Sequence, residues 1–258
     1  MVIPKIPNNV ETSFSEVDTL SPSVFTQIKD GCKFKYILQK SVREKTKGMG
    51  ISLTYPPGQA ALYGSIIHLM FEKRMKGLIP DTDSFERVWE NEVEKVRNDL
   101  KSKYPLYNFK NDYSKMFDAE DVVMNMTPVV NIQNGMSSNS NQMSSFERPY
   151  KIPDMLYGKI DRISFENGKT EIIDYKTGNV FDENGIIKQI YIDQLNLYAL
   201  LYETVENASV DKLTIIDKQG SPIDVPIIKD KTSLANEVCE IIKQIHCCPL
   251  KIAKRSLK

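Results

Sequence analysis

The first half of the chain repeats apolar residues at the spacing of α-helices. Ser21 followed by Pro22 is typical of an N-cap and first helical turn, so a helix is expected to begin there. Farther along, Leu62, Ile66 and Met70 form an apolar stripe on one face of a second predicted helix. The helices expected in this half cover residues 21–40, 59–76, 83–101 and 112–126.

The second half changes to the two-residue period of β-strands, and a tight hairpin is its clearest feature. The dipeptide Asn167-Gly168 is typical of a two-residue turn that joins two antiparallel strands. This turn places Asp161 directly opposite Asp174 across the hairpin. Alternation predicts two separate faces for the first strand, with Gly158, Ile160 and Arg162 on one side and Lys159, Asp161 and Ile163 on the other.

The remaining pattern predicts the organisation of the chain. A helix is expected over residues 191–206, a second hairpin over 213–228 and a closing helix over 233–246. Residues 134–145 contain almost nothing that can pack, which is typical of a flexible surface loop. The predicted divisions are a loose N-terminal segment (1–20), a helical lobe (21–133), a flexible linker loop (134–146) and a sheet core (147–258), against which the helix over 59–76 packs.

Composition indicates an ordinary globular protein. The 258 residues are enough to sustain a core, and 41% hydrophobic with 26% charged residues is near the average for folded proteins. No apolar run reaches the roughly 18–20 residues that span a bilayer, and the start of the chain lacks the pattern of a signal peptide. A soluble, intracellular (cytoplasmic) protein without a membrane partner is therefore expected. Because 34 basic residues balance 34 acidic ones, any contact with nucleic acid must come from a local basic groove.

Two carboxylates and an amine are expected to share one face of the first hairpin. Asp174 and Lys176 are two residues apart, so the pleat directs both to one side, where Asp161 faces them. Such carboxylates suit Mg²⁺, and Lys176 is then placed to orient or help deprotonate an attacking water and to stabilise charge at phosphorus. An isolated D-x-K tripeptide is more often a surface ion pair. Here, however, the charges stand in strands rich in isoleucine, where they need partners or a metal.

The segment from Gly158 to Gly178 resembles the core motifs of the RecB-like branch of the PD-(D/E)xK nuclease superfamily. Upstream, the stretch Gly64-Ser65-Ile66-Ile67-His68 is similar to the G-x-x-x-H helix of that family, and downstream a Q-x-x-x-Y helix is matched as well. The resemblance implies that the catalytic residues are Asp161, Asp174 and Lys176. It implies metal ligation by His68, Asp161, Asp174 and the backbone carbonyl of Tyr175, and substrate-binding or supporting roles for Gln194, Tyr198 and Thr177.

The residues outside the hairpin also have simpler interpretations. Taken alone, His68 is explained as well by an ordinary helix histidine, and Gln194 with Tyr198 by a surface pair at i, i+4 spacing. Glu147 stands where relatives often carry an acidic residue before the first core strand. It is a candidate for a second-metal ligand or for a supporting role.

The cysteines offer a further alternative. Cys32, Cys239, Cys247 and Cys248 match neither a disulfide framework nor a paired C-x-x-C zinc site, so reduced thiols are expected. Some RecB-like nucleases hold an iron–sulfur cluster with one N-terminal and three C-terminal cysteines, and the distribution here is similar. The adjacency of Cys247 and Cys248 departs from that arrangement and speaks against a cluster.

The implied fold is a restriction-endonuclease-like α/β core, with a mixed central sheet flanked by helices and an N-terminal helical elaboration. The implied activity is that of a Mg²⁺- or Mn²⁺-dependent deoxyribonuclease, and the histidine-bearing helix favours an exonuclease acting on DNA ends or single strands. Repair, recombination, and phage or CRISPR-type DNA processing would all use such a core. Two alternatives stay open, namely a sequence- or structure-specific endonuclease and a catalytically silent DNA-binding scaffold.

The partners expected for this activity are DNA and a separate protein that unwinds it. Because the sequence contains no G-x-x-x-x-G-K-[ST] phosphate loop, unwinding is expected from a helicase or recombination protein. Nothing in the sequence indicates the oligomeric state. A single-strand channel or a plain amphipathic lobe would each explain the group formed by Lys101, Lys103, Tyr104, Tyr107, Phe109, Lys110 and Tyr113.

Overall fold

The computed structural model describes residues 19–29, 31, 33–45, 56–128 and 142–246. The helices are α1 (Pro22–Lys29), α2 (Lys33–Lys45), α3 (Gln59–Met75), α4 (Thr82–Lys103), α5 (Tyr113–Asn125), α6 (Gln189–Glu206) and α7 (Thr232–His246). The strands are β1 (Gln142–Ile152), β2 (Leu156–Glu166), β3 (Lys169–Tyr175), β4 (Lys212–Ile216) and β5 (Pro222–Val225). Among the helices in these ranges, none is long and apolar enough to cross a membrane.

The five strands form a mixed sheet in the order β1-β2-β3-β4-β5. Neighbouring strands are antiparallel except β3 and β4, which are parallel. A parallel pair needs a long crossover connection, and α6 supplies it between these two strands. The predicted fold, a mixed sheet flanked by helices with further helices at the N-terminal end, is confirmed.

Helices cover both faces of the sheet and bury an apolar core on each. One core packs under α1, α6 and α7; this α6-side core includes Ile160, Ile163, Ile172, Leu197 and Val238. The other packs under α3, α4 and α5; this lobe-side core includes Phe71, Trp89, Val123, Ile173 and Tyr175. The adjacent residues Ile172 and Ile173 belong to different cores, as expected for a strand that is buried on both faces.

The predicted helix over residues 21–40 is wrong in its length, because the chain forms two helices there. Ser21 does cap α1, and its Oγ accepts a hydrogen bond from the backbone N–H of Val24 at 3.2 Å. The helix then ends before Gly31, and α2 follows. A Cβ atom at Gly31 would lie 2.2 Å from the carbonyl oxygen of Gln27, so only glycine fits this close turn. The other three helices predicted for this half correspond to α3, α4 and α5.

The hairpin between β2 and β3 has the predicted turn and register. Its two turn residues have φ angles of 51° and 75°, as a two-residue type I′ turn requires. Pairing runs from the turn to Arg162 opposite Ile173, and Asp161 and Asp174 are the next residues along each strand. The second predicted hairpin is formed by β4 and β5, and α6 and α7 begin within two residues of their predicted starts.

Two predicted boundaries differ from the structure. The last residues of the predicted linker over 134–146 belong to β1, where Gln142 pairs with Glu166 of β2. A polar composition did not exclude a strand here, because β1 lies at the sheet edge and is held by backbone hydrogen bonds. Leu20, the end of the predicted loose segment, is buried and bridges to Leu156. The remainder of both segments, 134–141 and 1–18, lies outside the described residues.

Candidate functional site

At Glu147 in β1 and Asp161 in β2, the regular alternation of side chains between the two faces of the sheet is interrupted. Glu147 has a φ of 53°, in the left-handed region that residues other than glycine rarely adopt. The regular pairing passes over these two residues and continues with the same register on either side. Next to Glu147, Arg148 forms an ion pair with Glu206 of α6, whereas Phe146 packs against the lobe-side core. The side chains on the two sides of Glu147 therefore point to opposite faces of the sheet.

The predicted alternation of β2 is wrong because of this change of faces at Glu147, which we call the crossover. Regular alternation predicts Ile160 and Ile163 on opposite faces, but both lie in the α6-side core. Arg162, predicted beside Ile160, instead lies on the lobe side, 5.9 Å above the ring of Phe146. A fixed two-residue period cannot anticipate a left-handed residue in the partner strand. As a result, Asp161 lies between Ile160 of the α6-side core and Arg162 on the lobe side, at the boundary between the two faces.

His68 reaches this boundary from α3 and meets both carboxylates. Its Nε2 lies 2.8 Å from Oδ2 of Asp161, and its Nδ1 lies 3.9 Å from Oε1 of Glu147. One ligand atom from each of the three residues lies within 4.8 Å of the others. The helix comes close to the sheet at Gly64, where a Cβ atom would lie 3.0 Å from Oγ1 of Thr177. The glycine one turn before His68 therefore lets α3 approach the end of β3.

Beside this cluster, Asp174 and Lys176 form a buried ion pair. Asp174 is only 2% exposed, and the Nζ atom of Lys176 lies 2.6 Å from its Oδ2. The same ammonium donates a hydrogen bond to Oε1 of Gln194 at 3.0 Å. Nε2 of Gln194 in turn donates to the hydroxyl of Tyr198 at 3.4 Å. The structure thus brings the carboxylate, the amine and the two residues of the Q-x-x-x-Y helix into one chain of contacts.

Tyr175 connects the ion pair to the histidine cluster. Its backbone N–H donates to Oδ2 of Asp161 at 3.1 Å. Its ring stacks on Phe71 at 5.1 Å between centroids and meets the edge of His68 at 5.6 Å. Tyr175 therefore holds Asp161 in place through its backbone N–H and His68 through its ring. The ligand role expected for its carbonyl oxygen stays a prediction.

Burial and mutual charge shift the pKa values of these groups. Burial raises the pKa of Asp174 to about 6, with the charge of Lys176 opposing the shift and that of Asp161 adding to it. For Lys176, burial acts to lower the pKa, but the carboxylates beside it raise it above its ordinary value. For His68, burial likewise acts to lower the pKa, and the hydrogen bond and charge of Asp161 more than offset it. At neutral pH, Lys176 is therefore an ammonium.

The donor atoms fit a divalent cation. The cluster of His68, Glu147 and Asp161 offers carboxylate oxygens and one imidazole nitrogen, a set that suits Mg²⁺ or Mn²⁺ better than a thiophilic ion. In addition, Oδ2 of Asp174 is buried and accepts no well-aligned hydrogen bond. The charge of Asp161 adds to the raised pKa of Asp174, and a dication beside these two carboxylates would lower the electrostatic energy of the site.

We expect acid to weaken the binding of such a cation. Because the pKa of His68 is raised from its ordinary value of 6.5 and that of Asp174 is raised to about 6, His68 takes up a proton before the pH falls to 6 and Asp174 takes one up around pH 6. Each proton that must leave before binding lowers the affinity by about tenfold per pH unit. Calorimetric titration with Mn²⁺ at pH 7.5 and pH 5 would measure this loss. Equal affinities at the two values would show that neither group contributes to the binding of the cation.

Two residues near the site are not among the site residues predicted from the sequence. The ring of Tyr191 lies 5.2 Å from the Nζ atom of Lys176, and Lys159 forms an ion pair with Glu147. Tyr191 precedes Gln194 by three residues, so helical spacing could have placed it on the same face. Lys159 precedes Asp161 by two residues on β2, but its contact with Glu147 depends on pairing with β1, which the sequence does not reveal.

Other candidate residues lie away from the site or outside the described chain. Cys239 of α7 is a partly buried free thiol. Cys32, Cys247 and Cys248 fall outside the described residues. The expectation of reduced thiols, and the alternative of an iron–sulfur cluster, therefore stay predictions. In the helical lobe, Phe109 is buried against Tyr63, and the hydroxyl of Tyr107 donates to the carbonyl oxygen of Pro57 at 3.1 Å. Packing in the lobe therefore explains these two aromatic residues without a nucleic-acid channel.

The chain shares little sequence identity with the solved structures to which it is similar. No curated protein sequence matches the chain. The crystal structure of SSO0001 is similar over 70% of this chain and 87% of its own, with 15% identity and a TM-score of 0.31. The crystal structure of "Putative exonuclease" from Eubacterium rectale is similar over 93% and 84%, with 13% identity and a TM-score of 0.39. Protein VC1899 from Vibrio cholerae is similar over 88% and 61%, with 10% identity and a TM-score of 0.22.

These structural similarities are low, and the assignment of a family rests on the sequence. The family model of the PD-(D/E)XK nuclease superfamily matches residues 19–246, which include every helix and strand described above. The match is to the superfamily as a whole, so the RecB-like branch stays a prediction. The chain belongs to the PD-(D/E)XK nuclease superfamily.

Proposed function

We propose that this protein is a Mg²⁺- or Mn²⁺-dependent exonuclease that hydrolyses phosphodiester bonds of linear or single-stranded DNA. The observation that carries the proposal is the convergence of His68, Glu147 and Asp161 beside the buried pair of Asp174 and Lys176. Membership of a nuclease superfamily supports hydrolysis of nucleic acid, and the donor set supports a divalent cation. The preference for DNA ends follows the resemblance of the histidine-bearing helix to that of RecB-like nucleases.

Each residue of the site has a role that its contacts support. His68, Glu147 and Asp161 would hold the cation, with Asp174 as a further ligand. When bound, the cation would polarise a phosphate oxygen and make a coordinated water a better nucleophile. Because Lys176 is an ammonium fixed by Asp174 and Gln194, its part is to orient the water and stabilise negative charge at the phosphate, and proton abstraction is not required of it.

Linear and closed circular DNA distinguish the proposed activity from its alternatives. We expect end-labelled linear single strands to be degraded in Mg²⁺ or Mn²⁺ and not in EDTA, while a closed circular DNA stays intact. Cutting of the circle would instead establish an endonuclease. DNA that is bound and never cut, with either metal, would establish a catalytically silent scaffold. In the proposed function, a separate helicase or recombination protein supplies the single strands.

A further inference from the structure

Within the part of the chain that the structure describes, a section of the β1–β2 hairpin is covered on one face only. Beyond the crossover at Glu147, the apolar side chains of Tyr150, Leu156 and Ile160 point towards α6 and are buried. Gly158 lies so close to this helix that a Cβ atom would come within 2.9 Å of Leu201. Residues that point the other way are exposed, because α3 packs on the lobe-side core and meets the hairpin at the crossover. We call this surface the outer hairpin face; its members are Pro149, Lys151, Tyr157 and Lys159.

The outer hairpin face leads directly to the candidate site. Lys151 is paired with Tyr157, and Pro149 is paired with Lys159. Two residues farther along each strand, and therefore next on the same face, are Glu147 and Asp161. Since a strand rises about 3.3 Å per residue, Tyr157 stands about 13 Å from Asp161 along β2, with Lys159 halfway between them. An extended ligand lying on this face would therefore pass Tyr157 and Lys159 before it reaches the site.

The exposed side chains have the chemistry that recognises one strand of nucleic acid. Tyr157 is 47% exposed and offers a ring on which a base can stack, and Lys159 is 55% exposed and offers an ammonium for a phosphate. Lys159 is ion-paired with Glu147, but exposed ion pairs contribute little, so a phosphate can compete for this lysine. Lys151 is also exposed, and the acidic Asp154 lies beyond it in the turn between the strands. Basic charge thus lies between the turn and the site in a chain whose net charge is zero.

We propose that the outer hairpin face binds a single strand of DNA and guides it into the site. Tyr157 stacks on a base, and Lys151 and Lys159 contact phosphates. The inference rests on the proposed function, since it assumes that the site acts on DNA. It selects a single strand over a duplex because the bases of a duplex are paired and stacked on each other and cannot lie on the ring of Tyr157.

Binding without cleavage tests the proposal separately from the activity. The probe is a fluorescently labelled single-stranded oligonucleotide, titrated in Mg²⁺ with the full chain carrying Lys176→Ala. We expect Tyr157→Ala in this background to raise Kd roughly tenfold, and Tyr157→Phe to leave it nearly unchanged because the ring is kept. We expect Lys151→Ala to weaken binding and to reduce the slope of log affinity against log salt by about 0.7, the value for one lost phosphate contact.

Two matched variants control for loss of an exposed side chain elsewhere. Phe117 of α5 is 54% exposed, and Lys212 of β4 is 48% exposed and ion-paired with Glu171. We expect Phe117→Ala and Lys212→Ala to bind the oligonucleotide as the parent does. The proposal is overturned if Tyr157→Ala and Lys151→Ala bind normally, if the controls lose as much affinity, or if a blunt duplex shows the same loss. A chain that cuts no DNA but shows the expected loss would refute the proposed function and leave this surface established.

Discussion

Replacing Asp161 with asparagine is expected to remove metal binding and cleavage together. Asp161→Asn keeps an oxygen that can accept from the N–H of Tyr175, so the strand should stay in place. It removes the charge that faces His68 at 2.8 Å and belongs to the proposed ligand cluster. We expect affinity for Mn²⁺ to fall by about 100-fold or more and the rate of DNA cleavage by about 10³-fold.

Thermal unfolding provides a readout of this change that does not depend on activity. In the wild type, Mn²⁺ at a hundredfold excess over Kd should raise the free energy of unfolding by about 2.7 kcal/mol, and Asp161→Asn should lose this gain. Asp211 is a matched control, because its carboxylate accepts a backbone N–H of β3, that of Thr170, at 2.8 Å. Asp211→Asn should keep the stabilisation by Mn²⁺. If Asp161→Asn were stabilised as strongly as the wild type, Asp161 would not be a ligand.

Replacing Lys176 with alanine is expected to slow cleavage by about 10²- to 10³-fold while DNA remains bound. The ammonium is held between Asp174 and Gln194, where it can stabilise charge that develops at the phosphate. Its loss should therefore lower kcat and leave Kd for DNA within a few-fold of the wild type. Rates under single-turnover conditions at saturating DNA would measure the effect on the chemical step.

The removal of any buried, ion-paired lysine can perturb a fold, so a second lysine serves as the control. Lys231 is 10% exposed in its side chain and forms an ion pair with Glu203 at 3.0 Å. Lys231→Ala should cut DNA at the rate of the wild type. Equal losses in the two variants would assign the effect to stability, and a Lys176→Ala protein that retains more than about a tenth of the activity would refute the proposed role.

The sequence predicts well those features that local chemistry decides. The turn at Asn167-Gly168 needs two residues with positive φ, which this dipeptide adopts readily, and the turn then sets the register of β2 against β3. The helix that carries His68 and the helix that carries Gln194 were likewise predicted from their apolar stripes and motif spacing. For this reason, most residues proposed for the site could be named before their positions were known.

What the sequence does not predict depends on contacts between distant segments. The exchange of faces at Glu147 arises between β1 and β2, and no composition or period near residue 147 indicates it. The start of β1 was missed for a related reason, since its first residues, 142–145, are mostly polar and are held by backbone pairing with β2. The approach of α3 to the sheet depends on Gly64 facing Thr177 across the fold. This packing of α3 against the end of β3 brings His68 to Asp161.

The decisive measurement is the degradation of end-labelled single-stranded DNA in Mn²⁺, with wild type, Asp161→Asn, Lys176→Ala and Lys231→Ala compared at equal concentration. We expect metal-dependent degradation by the wild type and by Lys231→Ala, and its loss in the other two variants. Degradation that persists in Asp161→Asn and Lys176→Ala would place the active site elsewhere, and degradation that continues in EDTA would refute the dependence on a cation.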